Sequence, residues 1–195
     1  MTTTMNRLPV ATWNPLGVNY APASAALPTV PADGWAKAET LSPALPAGVT
    51  APAEADFGDF AASGMGAETD TWLVENANLV NHLAVSGTAD APIVFENALD
   101  AAHPHALTYL TIDAAEGSSL TVVQVVRGDA EDGVSANLTR IRAAEGAHVV
   151  LVQVQLLGSH ARRWNAVAIE QGKSACVEQV RIELGGCVVA CGART

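Results

Sequence analysis

The stretch Ile112-Asp-Ala-Ala-Glu116-Gly117, followed by Leu120-Thr-Val-Val-Gln124-Val125, returns as Ile141-Arg-Ala-Ala-Glu145-Gly146, followed by Val149-Val-Leu-Val-Gln153-Val154. A third copy runs Val167-Ala-Ile-Glu-Gln171-Gly172, followed by Cys176-Val-Glu-Gln179-Val180. In each, an aliphatic residue stands five before the glycine and Glu or Gln immediately before it. Gln follows seven after the glycine and Val eight after. The glycines are 29 and then 26 residues apart, and Gly128, Gly158 and Gly185 close the units. A degenerate earlier unit runs through Gly87 into Ile93-Val-Phe95. Each unit reads as strand, glycine corner, strand, glycine corner, because Gly reaches the positive φ that tight corners need.

A two-stranded unit cannot bury its own apolar face, but units stacked in register can. Along Cys176 to Leu184, one face carries Cys176, Glu178, Val180, Ile182 and Leu184. The other carries Val177, Gln179, Arg181 and Glu183. This alternation is that of a strand, and its mostly apolar face is the one expected to be covered. The fold expected is all-β, a parallel β-helix over 81–195. The alternative is an antiparallel β-sandwich of hairpins. The recurring Gln favours the helix, since a polar residue stacked turn on turn can form an amide ladder. The next corner falls due beyond Thr195, so the last turn is expected to be open, in a chain truncated at its C-terminus.

The composition changes near residue 53. Eight of the ten prolines lie at or before Pro52. Each removes a donor and restricts its predecessor, which forbids long helices and central strands. Residues 1–53 therefore read as a Pro/Ala-rich arm with short helical turns at most, anchored by Trp13, Tyr20 and Trp35. Residues 54–80 form a lead-in, in which Asp70 to Ala77 fits either a short helix or a strand entry.

A net charge of -10, with Lys only at Lys37 and Lys173, argues against nucleic acid and anionic membranes as partners. No apolar run approaches the ~20 residues of a membrane span, and Met1 to Pro9 lacks a signal-peptide layout. The location expected is cytoplasmic. Three cysteines, an odd number, suit reduced thiols rather than a disulfide framework.

Cys176, Cys187 and Cys191 are the thiol candidates for metal. On a strand, Cys187 and Cys191 stand about 13 Å apart, too far to share one ion, although stacking can bring Cys176 near one of them. The competing expectation is small buried thiols filling a β core. His103-Pro104-His105 reads as a solvated loop. Ser159-His160-Ala-Arg162-Arg163-Trp164 is the one basic cluster, suited to an acidic partner or to carboxylates on a neighbouring turn. No phosphate loop, dinucleotide fingerprint or nucleophile elbow occurs. No catalytic constellation is visible.

The arm Leu8-Pro-Val-Ala-Thr-Trp13-Asn14-Pro-Leu16-Gly-Val18-Asn19, the lead-in Ser63-Gly64-Met65-Gly66, and the repeat elements Val152-Gln153-Val154-Gln155-Leu156-Leu157-Gly158 and Glu183-Leu184-Gly185-Gly186 together resemble the SufB/SufD family, and its SufD-like members most. These are scaffold proteins of SUF iron–sulfur cluster assembly. The resemblance implies a right-handed parallel β-helix and a non-catalytic scaffold. It implies a SufB-like or SufD-like partner subunit, or a homodimer, and a separate ABC-type ATPase, SufC. It implies no cofactor held by this chain, with a transient iron–sulfur cluster only in the complete complex. The family's ATPase-docking surface and cluster-handling Cys and His positions have no counterpart in this sequence, so no functional residue is carried over. A stand-alone β-solenoid binding a small molecule or glycan is the alternative.

Overall fold

The computed structural model describes residues 37–40 and 45–195. The expected helical turns of the arm fall largely on residues outside these. Its described parts form two short strands, β1 (Lys37–Thr40) and β2 (Val49–Thr50). Helix α1 (Ala67–Asn76) follows, so the ambiguous Asp70 to Ala77 segment is mostly helical. Nine strands complete the order: β3 (Leu79–Val85), β4 (Ile93–Leu99), β5 (His105–Ala114), β6 (Ser119–Gly128), β7 (Val134–Ala143), β8 (His148–Leu157), β9 (Arg162–Gln171), β10 (Cys176–Gly185) and β11 (Val188–Arg194).

Successive strands alternate between two sheets. One sheet has the order β1-β4-β6-β8-β10 and the other β11-β9-β7-β5-β3-β2. Every pairing from β3 to β11 is parallel, with antiparallel β1 and β2 closing one end of each sheet. This is a β-solenoid of stacked coils, as the repeat requires. The antiparallel sandwich is excluded, because hairpins would pair neighbours in sequence and here each strand pairs with the coil before and after it.

The register corrects the third repeat. Ile112 pairs with Ile141 as expected, but Ile141 pairs with Ile169 rather than Val167. The corner glycines Gly117 and Gly146, at φ 63° and 68°, are matched by Ser174 at φ 57°. Ser174, not Gly172, thus occupies the left-handed corner position, and the third coil is two residues longer than the glycine spacing suggests. A two-residue slip preserves side-chain parity, so the assignment of residues to faces survives.

Between the sheets lie two zones. At the Gly117 and Gly146 corners the interior is aliphatic, built on Ile93, Ile112, Leu120, Ile141, Val149 and Leu151. Toward the opposite corners it becomes polar, with Gln124, Gln153, Asn137, Asn165 and Thr139 all buried. Segment 55–77 crosses the outer face of the β5-β7-β9 sheet. Leu73 and Met65 pack on Leu107, Leu138 and Trp164. The Arg142 guanidinium lies 4.6 Å over the Phe57 ring, and Arg140 donates to the Phe57 carbonyl at 2.9 Å. Asp70 of α1 accepts from both the backbone N–H and the hydroxyl of Ser63 at 2.7 and 2.5 Å. That clamp sets Gly64 directly against the backbone of Gly192 and Ala193 of β11, where any Cβ would collide. The glycine-rich lead-in is thereby explained as a close backbone crossing.

Candidate functional site

Among the described residues the β4-β6-β8-β10 sheet has no such cover, and its two faces carry the features most suited to function. Its inner face holds an amide ladder. Gln124 and Gln153 stand opposite each other in register, and Gln153 Nε2 donates to Gln124 Oε1 at 2.8 Å. Asn137 and Asn165, also in register, face them from the other sheet and bond at 3.0 Å. Gln153 and Asn165 exchange two bonds at 3.1 Å, and Gln124 Nε2 donates to Asn137 Oδ1 at 3.3 Å. The stacked Gln expected from sequence is therefore present. Gln179 joins from two residues out of register, donating to Gln153 Oε1 at 3.0 Å.

On β10 the inner row becomes charged. Arg181 pairs with Gln153, and Glu183 with Gln155. Arg163 of β9 is buried, donates to the Ser135 hydroxyl at 2.6 Å, and leaves Nε without a partner. Burial pushes its pKa down, while the Glu183 charge opposes that shift. A cavity of about 190 Å³ opens in this polar zone, lined by Asn97, Thr108, Gln124, Asn137 and Arg163 among others.

The outer face corrects the sequence expectation for β10. The polar row Val177, Gln179, Arg181 and Glu183 points inward, and the mostly apolar row points to solvent. Register with β8 dictates this, because Val149, Leu151, Gln153 and Gln155 are the buried row of that strand. In-register aliphatic columns result: Val123, Val152 and Val180 in one, Val125, Val154 and Ile182 in the next. Val180, Ile182 and Leu184 are 45%, 42% and 57% exposed, and Leu156 beside them is 45% exposed. Among the described residues these side chains form one contiguous apolar surface.

The three thiols are not the buried core fillers expected. Cys176 and Cys187 are exposed and Cys191 is half-buried. Cys187 lies against the Ala161 carbonyl at 3.2 Å, whereas Cys191 faces inward and lies 3.4 Å from Glu183 Oε1. Burial, with the Glu183 charge adding to it, pushes the Cys191 thiol up to about 11, so it is not a thiolate at neutral pH. Cys176 stacks on neither, but on His148.

The basic cluster is dispersed. Trp164 packs under α1 and Arg163 turns into the interior. Arg162 Nη2 meets Asp132 at 3.3 Å, and His160 Nδ1 meets Asp129 at 2.8 Å. Carboxylates one coil away thus hold two of its members. His103 closes its own loop on Asp100 at 3.0 Å. The Asp129 hydrogen bond and charge hold the His160 pKa above the ordinary histidine value, and the same bond holds Asp129 below the usual carboxylate value. The histidine's contribution to stability is full at pH below the ordinary histidine range and is lost as pH rises through its folded value. The aspartate's is full above the ordinary carboxylate range and is lost as pH falls through its folded value. An NMR titration is expected to place the His160 midpoint above that of a model histidine, and Asp129→Asn should lower it toward the ordinary value, leaving the smaller raise due to the Glu131 charge. A His160 midpoint unchanged by Asp129→Asn would refute the coupling.

No helix among the described residues is long and apolar enough to cross a membrane. Comparison with curated proteins and with solved structures finds no match. A family model does match: SUF system FeS cluster assembly, SufBD core domain, over residues 97–194. Those residues span β4's C-terminal half through β11, the coils that carry the amide ladder and the aliphatic outer wall. The match covers half of the chain and agrees with its parallel solenoid, so the chain belongs to the SufB/SufD family of SUF iron–sulfur cluster assembly.

Proposed function

We propose that this chain is a non-catalytic, SufD-like scaffold component of iron–sulfur cluster assembly, working through protein–protein contacts. The observation that carries this reading is the aliphatic outer wall of β6, β8 and β10, exposed most strongly at Val180, Ile182 and Leu184. Beside it the outer edge of β10 carries no strand partner among the described residues, and an open parallel edge is a pairing template. The partners proposed are a SufB-like or SufD-like subunit, or a second copy, together with the SufC-type ATPase. The small-molecule or glycan alternative requires a roomier pocket than the polar cavity. Its about 190 Å³, and the about 250 Å³ of a second cavity beside Thr50 and Ala115, both fall short of the ~300–1,000 Å³ of ordinary ligand sites.

The test is co-purification of the full chain with SufB-like, SufD-like and SufC subunits, alongside its own size in solution. A complex or homodimer is expected. Ile182→Lys with Leu184→Lys should weaken it by about 2 kcal/mol or more, as for the anchors of an interface. Thermal stability should barely change, because both side chains face solvent in the isolated chain. A chain that is strictly monomeric and binds none of these subunits would overturn the proposal.

A further inference from the structure

The corrected register places three potential metal ligands together on the outer face of the β4-β6-β8-β10 sheet. His148 opens β8 and Cys176 opens β10, and the two are paired across the parallel ladder. Glu178 lies two residues beyond Cys176, which puts it on the same face. One nitrogen of His148, the Cys176 sulfur and one Glu178 oxygen all lie within 4.8 Å of one another. His148 Nε2 is already 2.7 Å from Glu178 Oε1. Among the described residues this is the single group of three or more His, Cys, Asp or Glu side chains so gathered.

An exposed His–Glu contact is commonplace and contributes little by itself. The thiol is what changes the chemistry. Sulfur and imidazole ligands disfavour calcium and magnesium and favour borderline transition ions. Bonds of ~2.0–2.3 Å to such an ion draw the ligand atoms somewhat closer than they stand, by rotations that exposed side chains make freely. The three come from two adjacent coils held by continuous backbone pairing, His148 from β8 and Cys176 and Glu178 from β10, so the site is assembled by the fold and not by a loop.

We propose that His148, Cys176 and Glu178 form a mononuclear site for a divalent transition ion of the zinc or cobalt type. On binding, the thiol proton leaves to solvent as the sulfur–metal bond forms. Imidazole nitrogen and carboxylate oxygen donate lone pairs, and no electron is transferred. Three protein ligands leave a fourth position for water or a ligand from outside the chain. Cys187 and Cys191 take no part. The inference rests on this chain's register and stands independently of the scaffold reading.

The experiment is titration of the full, reduced chain with cobalt(II) in the absence of oxygen, followed by its thiolate-to-cobalt charge-transfer absorption. A band saturating at one equivalent is expected, with a rise in Tm because the ion binds only the stacked coils. Cys176→Ser should abolish the band. His148→Ala and Glu178→Gln should each weaken binding at least ~10-fold. The Cys187→Ser, Cys191→Ser double variant should keep both band and affinity. Circular dichroism of each variant confirms the fold, which substitutions at solvent-facing positions should leave intact. No band in the unaltered chain, a band that persists in Cys176→Ser, or one lost in the double variant would overturn the site.

Discussion

Gly128→Ala is expected to destabilise the chain by about 2–4 kcal/mol, seen as a lower urea midpoint at unchanged m-value. Gly128 is the last residue of β6 and pairs with Leu99 of β4. Its φ is 100°, where an L side chain is strained, and a Cβ there would be driven into the Leu99 carbonyl oxygen. Backbone cannot give way as a flexible side chain can, so the two coils must separate. Gly117→Ala is the control. Gly117 has φ 63°, but a Cβ there meets nothing within 4 Å. It should cost only the left-handed backbone term of about 1–2 kcal/mol. Ser174, at φ 57° in the equivalent corner of the next-but-one coil, shows that such a corner accepts a side chain. Equal costs at the two glycines would contradict this account of how the coils are spaced.

The same contrast separates what the sequence makes legible from what it hides. The repeat, its strands and the amide ladder were legible because Glu-Gly corners and Gln residues recur at fixed offsets through Gly117 and Gly146. Glycine spacing misaligns the third coil, because Ser174 replaces glycine at the corner and Gly172 nearby imitates it. That error of two residues hides the His148–Cys176 pair, since the glycine spacing sets His148 opposite Ser174. The exposure of Val180, Ile182 and Leu184 was illegible for a different reason. Alternation in β10 reveals two faces but not which one is inside, and the rule that apolar faces are buried chose wrongly. The register with β8 fixes the polar row inward, pairing Val177, Gln179, Arg181 and Glu183 with the buried Val149, Leu151, Gln153 and Gln155. Likewise, Arg163 is adjacent in sequence to Arg162, yet alternation sends one into the interior and the other to an ion pair with Asp132. The helical lead-in was ambiguous because α1 owes its place to tertiary contacts, Leu73 against the sheet and Asp70 against Ser63.

Gln153→Leu is expected to cost about 3–5 kcal/mol, the largest single effect in the polar zone. Gln153 is 1% exposed and bonds to Gln124, Asn165 and Gln179. An apolar side chain of similar size fills the space but removes one partner from the buried Gln124 oxygen, which keeps the Thr139 hydroxyl, and one from the Asn165 amide, which keeps Asn137 and a 3.5 Å contact with Glu183. Each hydrogen bond lost contributes about 0.5–1.5 kcal/mol net, and half-satisfied buried groups add part of the larger cost of an unmade bond. Gln179 is half-buried at the edge and can turn to water, so it adds little. The same asymmetry predicts a rescue. Replacing the connected set together, with Gln124→Leu, Asn137→Leu, Thr139→Val, Gln153→Leu and Asn165→Leu, removes donors and acceptors in matched pairs and should recover most of the lost stability. Urea unfolding of the single and fivefold variants checks both statements. A loss below about 1 kcal/mol for Gln153→Leu would mean that water already satisfies the network. Recovery in the fivefold variant would show that the amide belt is not needed to hold the coils together. Its presence beside the cavity lined by Arg163 would then call for a functional explanation rather than a structural one.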